Sequence, residues 1–386
     1  MCTRIDLVGM PTEAWRAEFP ALAEEGRTHL NNCSASPIPY RGLAARRECE
    51  RVWIESGNPW ETWLAKVNQA KAQFASLINA EPEEIAVLSC ATQAFAQVAS
   101  ALEYDERSDI VTSDLEYPTL PQFWRAQAKR GATLRVANSV DGTVVPTDRY
   151  EAELSEETLM VCGSHAYSFT GGLMDVEAVA DAVHEVGGYL FLDAYQSVGV
   201  VPIDVKAQKI DMLVAGTLKF LLGGPGISFL YVDHDLANEL EPFNMGWFGV
   251  DDIFGGETEN PQFADGARRF ELGTPPAPNA YQASAGMDLI KEVGVDTVRE
   301  RVVEYTQQLI DGAIDRGYDV HSPVDPDQRG GVVNVQVETP ERIESSLLDA
   351  GFNVSSRAGG IRLSPHFYNT PEEMDAVLDA IVEFDR

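Results

Sequence analysis

Between residues 60 and 216 short apolar runs alternate with amphipathic segments, and no other feature narrows the possible folds as much. "EIAVLS", "DIVTS", "TLRVA", "TLMVCG", "GYLFLDA" and "DMLVAG" each read as a brief buried strand. "WETWLAKVNQAKAQFASLIN", "TQAFAQVASALE", "LPQFWRAQAKR" and "DVEAVADAVHEVG" carry apolar residues at helical spacing, the last closing on a C-cap glycine. Short apolar strands joined through helices predict a mostly parallel sheet covered on both faces.

From about residue 278 the texture shifts to a smaller α+β pattern. A helix ("AYQASAGMDLIKEVG") leads into a long charged one ("DTVRERVVEYTQQLIDGAIDRG"), then a strand ("GVVNVQV") and a final helix ("PEEMDAVLDAIVEFDR"). A chain of 386 residues can support two domains. We expect a large one over residues 31–264 and a small one over 265–386, with residues 1–30 packing against the latter.

Charge narrows the function classes. Sixty-one acidic residues against 29 basic ones give −32 at pH 7, spread along the chain with no basic patch. That disfavours nucleic-acid binding, which needs cations to displace phosphate counterions. A distributed acidic surface stays soluble where salt screens its repulsion, so we expect a halophilic origin. No run of about 18 apolar residues is present, so no membrane span is expected. The first residues lack the apolar core of a secretory signal. The five cysteines are scattered, with neither disulfide framework nor metal-ligand spacing, which suits a reducing cytoplasm and predicts no metal.

In "GTLKFLLGGPG" one lysine, Lys219, stands in an apolar, glycine-rich run. Lysine is rarely buried without reason, so it either reaches out to water or serves as a desolvated amine that captures a carbonyl. In open parallel sheets, ligands bind at the carboxyl ends of strands. The residues expected there include Ala91 and Thr92 at a helix start, Tyr117, Ser164, His165, Asp193, Gln196, Thr217 and Lys219. Each has an ordinary alternative: Asp193 and Thr92 could be helix caps, and Tyr117 beside Pro118 a turn aromatic. Together they suit pyridoxal 5′-phosphate. A helix N-terminus and a hydroxyl (Ala91, Thr92) suit its phosphate, a carboxylate (Asp193) its ring nitrogen, a flat ring (Tyr117) its face, and Lys219 its aldehyde.

With these residues in strand order, the chain resembles the class V aminotransferase group of fold-type I pyridoxal-phosphate enzymes. That group includes cysteine desulfurases, selenocysteine lyases, kynureninases and isopenicillin N epimerase. The likeness runs from "HLNNCSASPIP" to "IRLSPHFYNTPEEMD" and is most specific in "FLDAYQSVGVVPIDV…DMLVAGTLKFLLGGPG". It implies an α/β fold, Lys219 as the Schiff-base residue, Asp193 as the pyridinium partner, Gln196 near the ring oxygen, Tyr117 in the stacking position and Thr217 at the phosphate. It further implies a homodimer with shared active sites, in which Gly273 and Thr274 of "RFELGTPP" reach the partner's phosphate. Arg362 of "GGIRLSPHFYNT" would clamp the substrate's α-carboxylate, for which a planar guanidinium is suited. Asn32 and Arg357 are further substrate-pocket candidates.

The sequence departs from the desulfurases in three places. The interval "VSSRAGGIR" has no cysteine where they carry a nucleophile, Ser168 stands in place of their asparagine, and Leu218 in place of their histidine. Persulfide chemistry is therefore not expected. The expectation is a lyase-type reaction at Cβ of an amino acid, C–S or C–Se cleavage included; transamination or epimerisation is the alternative. A nicotinamide dehydrogenase is discounted because the early helix opens on "CATQAFAQ" rather than a G-x-G-x-x-G turn. A non-catalytic scaffold is disfavoured by retention of Lys219, Asp193, Thr92 and Arg362 together.

Overall fold

The computed structural model of the chain describes residues 12–386. Residues 1–11 of the expected N-terminal packing segment, and Cys2, lie outside the described residues.

Seven strands form the central sheet: β1 (Ile85–Leu88), β2 (Asp109–Ser113), β3 (Thr133–Ala137), β4 (Thr158–Ser164), β5 (Tyr189–Asp193), β6 (Met212–Gly216) and β7 (Ser228–Val232). Their spatial order is β1-β7-β6-β5-β4-β2-β3. β7 alone runs against its neighbours β6 and β1, and every other pair is parallel. Six carboxyl ends therefore meet along one edge of the sheet, where the sequence reading places its ligand. β1, β2, β4, β6 and β7 are buried along their whole length, although β1 lies at one edge of the sheet, which is why β1, β2, β4 and β6 read as apolar runs. The edge strand β3 alternates, and its Arg135 pairs with Asp109 of β2 at 2.9 Å.

Helices cover both faces: α1 (Tyr40–Ser56), α2 (Trp60–Leu77), α3 (Ala91–Ala101), α4 (Thr119–Ala126), α5 (Val176–Glu185) and α6 (Ala277–Val293). Phe74 of α2 stacks on Phe229 of β7 at 4.7 Å between centroids. Gly187, at φ +74°, supplies the left-handed residue that ends α5, and its N–H bonds His184 O. The other core joins α7 (Val295–Asp315), α8 (Pro340–Asp349) and α9 (Pro371–Phe384) to a three-stranded antiparallel sheet of β8 (Val333–Gln336), β9 (Ser355–Arg357) and β10 (Gly360–Leu363), ordered β9-β10-β8. A capping box between Thr370 and Glu373 starts α9.

The packing division departs from the expected boundary at 265. Ala277, Ala280, Ala283 and Met287 of α6 belong to the core of the large sheet, so the two cores part near Gly294. Trp15, Phe19 and Leu22 pack with Leu289 and Val298 at that junction, while Leu30 enters the smaller core.

Candidate active site

The chain leaves β6 at Gly216 and turns back on itself before β7. The Thr217 C=O and hydroxyl anchor this turn: Gly223 N donates to Thr217 O at 2.8 Å, and Thr217 Oγ1 donates to Gly224 O at 3.0 Å. A Cβ at Gly223 would lie 2.5 Å from Thr217 Oγ1, so glycine is required for the turn to close. Lys219 is thereby held at the floor of a cavity of about 310 Å³, within the range of small-molecule sites.

Ala91, Thr92, Tyr117, Asp193, Gln196 and Lys219 line this cavity together, joined by Ser34, Cys90, Ser164, Ser168, Tyr195 and Leu218. Lys219 Nζ lies between two aromatic faces, 4.8 Å from the Tyr195 ring centroid and 5.8 Å from that of Tyr117. Burial lowers its pKa to about 8; the Cys33 and Asp193 charges oppose the shift, and the Arg362 charge adds to it. The amine is thus far readier to react near neutrality than an ordinary lysine.

Asp193 ends β5, and its Oδ1 accepts the Tyr195 N–H at 2.9 Å. Burial raises its pKa, against the opposing pull of that hydrogen bond and of Lys219. A cationic ring nitrogen placed against it would return it to the charged form. α3 begins at the opposite wall with no side chain capping it, since N-cap Cys90 accepts no hydrogen bond there. Two buried polar atoms of the cavity lining also lack partners among the described residues: Gln196 Oε1, whose amide nitrogen is tied to Cys33 O at 3.1 Å, and Ser168 Oγ. An uncapped helix start, an acid beneath, a desolvated amine and orphaned acceptors and donors fit pyridoxal phosphate.

Arg362, on β10, does not itself line the cavity but bonds two residues that do, Ser34 and Ser168. It is 4% exposed, and every bond it makes is to a neutral acceptor: Ser168 O and Ser34 Oγ at 2.8 Å, Ser355 Oγ at 3.2 and 3.3 Å. Among the described residues it has no carboxylate partner, which leaves a buried cation beside an amino-acid-sized space.

Other expected residues lie elsewhere. Asn32 is fully buried and committed, its amide donating to Ser364 O at 2.8 Å and its oxygen accepting from Tyr368 Oη at 2.6 Å. Arg357 is exposed at the end of β9, and among the described residues its guanidinium bonds only the neighbouring Ser356 O. The Thr217 hydroxyl serves its own turn rather than lining the cavity. Gly273 and Thr274 are exposed and outside the cavity.

Sequence reading missed Tyr195, Ser34, Cys90 and Glu116. Glu116 is buried behind Ser164, accepting from Ser164 Oγ at 2.6 Å and Ser113 Oγ at 2.7 Å, and burial lifts its pKa to about 7. Tyr195 had one available signal: it sits between Asp193 and Gln196 on the same post-strand turn. Among the described residues no cluster of His, Cys, Asp or Glu could hold a metal, and no helix is long and apolar enough to cross a membrane.

Comparison with known proteins adds an independent finding. The model for "Aminotransferase class-V" matches residues 59–377. The uncharacterized aminotransferase YcbU of Bacillus subtilis is 36% identical over 369 residues, covering 96% of this chain and 97% of that protein. A probable cysteine desulfurase of Methanothermobacter thermautotrophicus is 26% identical over 407 residues, with 98% and 99% coverage. Among solved structures, the cystine C–S lyase C-DES in complex with its product cysteine persulfide superposes with a TM-score of 0.87 at 21% identity, covering 95% of this chain and all of that one.

Proposed function

The chain belongs to the class V aminotransferase family of pyridoxal-phosphate-dependent enzymes, and from that premise we propose that it cleaves a substituent from Cβ of an α-amino acid without a persulfide-forming cysteine of its own. The observation that carries the amino-acid reading is Arg362, a buried guanidinium with no carboxylate partner among the described residues, bonded to Ser34 and Ser168 of the cavity that holds Lys219. A substrate α-carboxylate would supply the missing counter-charge.

When bound, pyridoxal phosphate joins the substrate amine and draws electrons from the α carbon. The chain's own groups do the rest. Asp193 holds a carboxylate against the ring nitrogen, and Tyr117 offers its face to the ring. The α3 amides of Ala91 and Thr92 take the phosphate, and Lys219 Nζ moves the α proton. Ser168 and Ser34, which hold Arg362, border the substrate side. Cys90, the one exposed cysteine among the described residues, sits at the start of α3 rather than on the β9–β10 hairpin that carries Arg362. The likeness to a C–S lyase supports the Cβ reaction. The likeness to an aminotransferase at 36% identity favours transamination as the second reading.

Incubation with single amino acids separates the two. Keto acid with ammonia, and no acceptor added, supports cleavage. Keto acid only in the presence of an acceptor keto acid, without ammonia, refutes it in favour of transamination. We also propose a homodimer. Gly273 and Thr274 face outward, and an exposed aromatic belt of Trp53, Trp247 and Phe254 lies on the same molecule, 53%, 42% and 71% exposed. Light scattering giving a monomer mass in high salt would refute this.

A further inference from the structure

Of the two threonines expected at the phosphate, Thr92 lines the cavity and Thr217 does not. Thr217 Oγ1 is turned to Gly224 O, and Leu218, which also lines the cavity, has no polar side-chain atom. Residue 216, at the carboxyl end of β6, is glycine. The space above it is filled by a residue from the turn that follows the neighbouring strand: a Cβ at Gly216 would lie 2.2 Å from both Cζ and Oη of Tyr195. No side chain other than glycine's leaves that seat open.

The Tyr195 hydroxyl has no hydrogen-bond partner among the described residues, although its ring lines the cavity with Cys90, Ala91 and Thr92. Burial pushes its pKa up to about 12, helped by the Asp193 and Cys90 charges, so it stays protonated and can only donate to an anion. Tyr195 leaves the turn after β5 and lays its hydroxyl over the carboxyl end of β6, and in the strand order β1-β7-β6-β5 that is toward the side on which β1 leads into the free amides of α3.

We propose that Tyr195 Oη donates a hydrogen bond to the cofactor phosphate, from the space that a side chain on residue 216 would otherwise fill. This rests on the reading of the cavity as the cofactor site. Tyr195 and Gly216 then form a matched pair, with the donor carried by the turn after β5 because the end of β6 leaves room for it.

The test titrates cofactor-free protein with pyridoxal phosphate and, separately, with pyridoxal, which lacks the phosphate, and follows absorbance and tryptophan quenching. If the wild type fails to bind pyridoxal phosphate, or borohydride does not fix it to Lys219, the cofactor-site reading itself falls. With wild-type binding established, Tyr195→Phe is expected to weaken pyridoxal phosphate about ten- to a hundredfold, the worth of one hydrogen bond to a charged group. Pyridoxal affinity is expected to stay within about twofold, since no charged acceptor is lost. Gly216→Ala, which drives the phenol off its seat while keeping it in the chain, is expected to give the same phosphate-selective loss. Equal loss for both ligands, or loss for neither, in the variant that folds overturns the proposal.

Discussion

Replacing Arg362 with methionine separates a binding role from a structural one, because the two predict opposite balances of stability and activity. The guanidinium has five N–H donors and makes four contacts, all to neutral oxygens, two at 2.8 Å and two at 3.2–3.3 Å. Bonds from an ionised donor return about 1.5–3 kcal/mol each at good geometry, which offsets the several kcal/mol that desolvating an ion without a counter-ion costs and leaves little net stability in the arrangement. Methionine fills similar length and removes the ion, so the substrate-free protein should unfold within about 1 kcal/mol of wild type in urea. Breaking a buried ion pair would instead cost about 3–5 kcal/mol. Function should suffer far more. Two charge-assisted bonds to a carboxylate are worth about 3–6 kcal/mol, so kcat/KM for the amino-acid substrate should fall by about two to four powers of ten. The same substrate without its carboxylate should be handled equally by both proteins. A variant that unfolds by several kcal/mol yet keeps its kcat/KM would refute the reasoning.

Three other outcomes follow from the site and the surface. The rate at which cofactor-free protein captures pyridoxal phosphate should rise with pH through a midpoint near 8, the value to which burial lowers Lys219, since only the neutral amine attacks; a midpoint near 10 would contradict the desolvation. Arg362→Met should move that midpoint upward, because the arginine charge helps lower it. Glu116 is held near 7 rather than its ordinary 4.5, so the folded state binds its proton more tightly than the unfolded one. Its contribution is fully present below about 4.5 and lost as pH rises through about 7, a change of about 3 kcal/mol that Glu116→Gln should flatten in pH-dependent urea melts; an unchanged profile would count against it. Finally, 61 acidic residues against 29 basic ones predict loss of fold on dialysis to low salt, checked by circular dichroism, and full stability without salt would end the halophilic reading.

The sequence exposed what lay at strand ends and concealed what depended on register or on distant partners. Lys219 and Asp193 were legible because a parallel sheet delivers every carboxyl end to one edge, and β5 and β6 are adjacent. Tyr195 was not, since its seat exists only because a glycine lies on the strand alongside. Asn32 has the right chemistry for a substrate pocket but is consumed by Ser364 and Tyr368, more than 330 residues away. The antiparallel β7 follows a glycine turn where the alternating pattern leads one to expect a crossover helix. The boundary near 294 was obscured because the alanines of α6 serve the large core, a loyalty that helical spacing does not reveal.

The segment from Asn31 to Ser36 has a consequence for the order in which the protein assembles. Cys33 N bonds Ser364 Oγ, Cys33 O accepts from Gln196, and Ser36 N bonds Leu218 O, so six residues touch both the C-terminal sheet and the neighbours of Lys219. These links span about 160 to 330 positions of chain, and no such contact can close before the bodies it joins exist. The segment is therefore a late latch: its amides should gain exchange protection only after both sheets have formed. Until it closes, Arg362 lacks its bond to Ser34, and the carboxylate side of the site stays unfinished while the cofactor side is already whole.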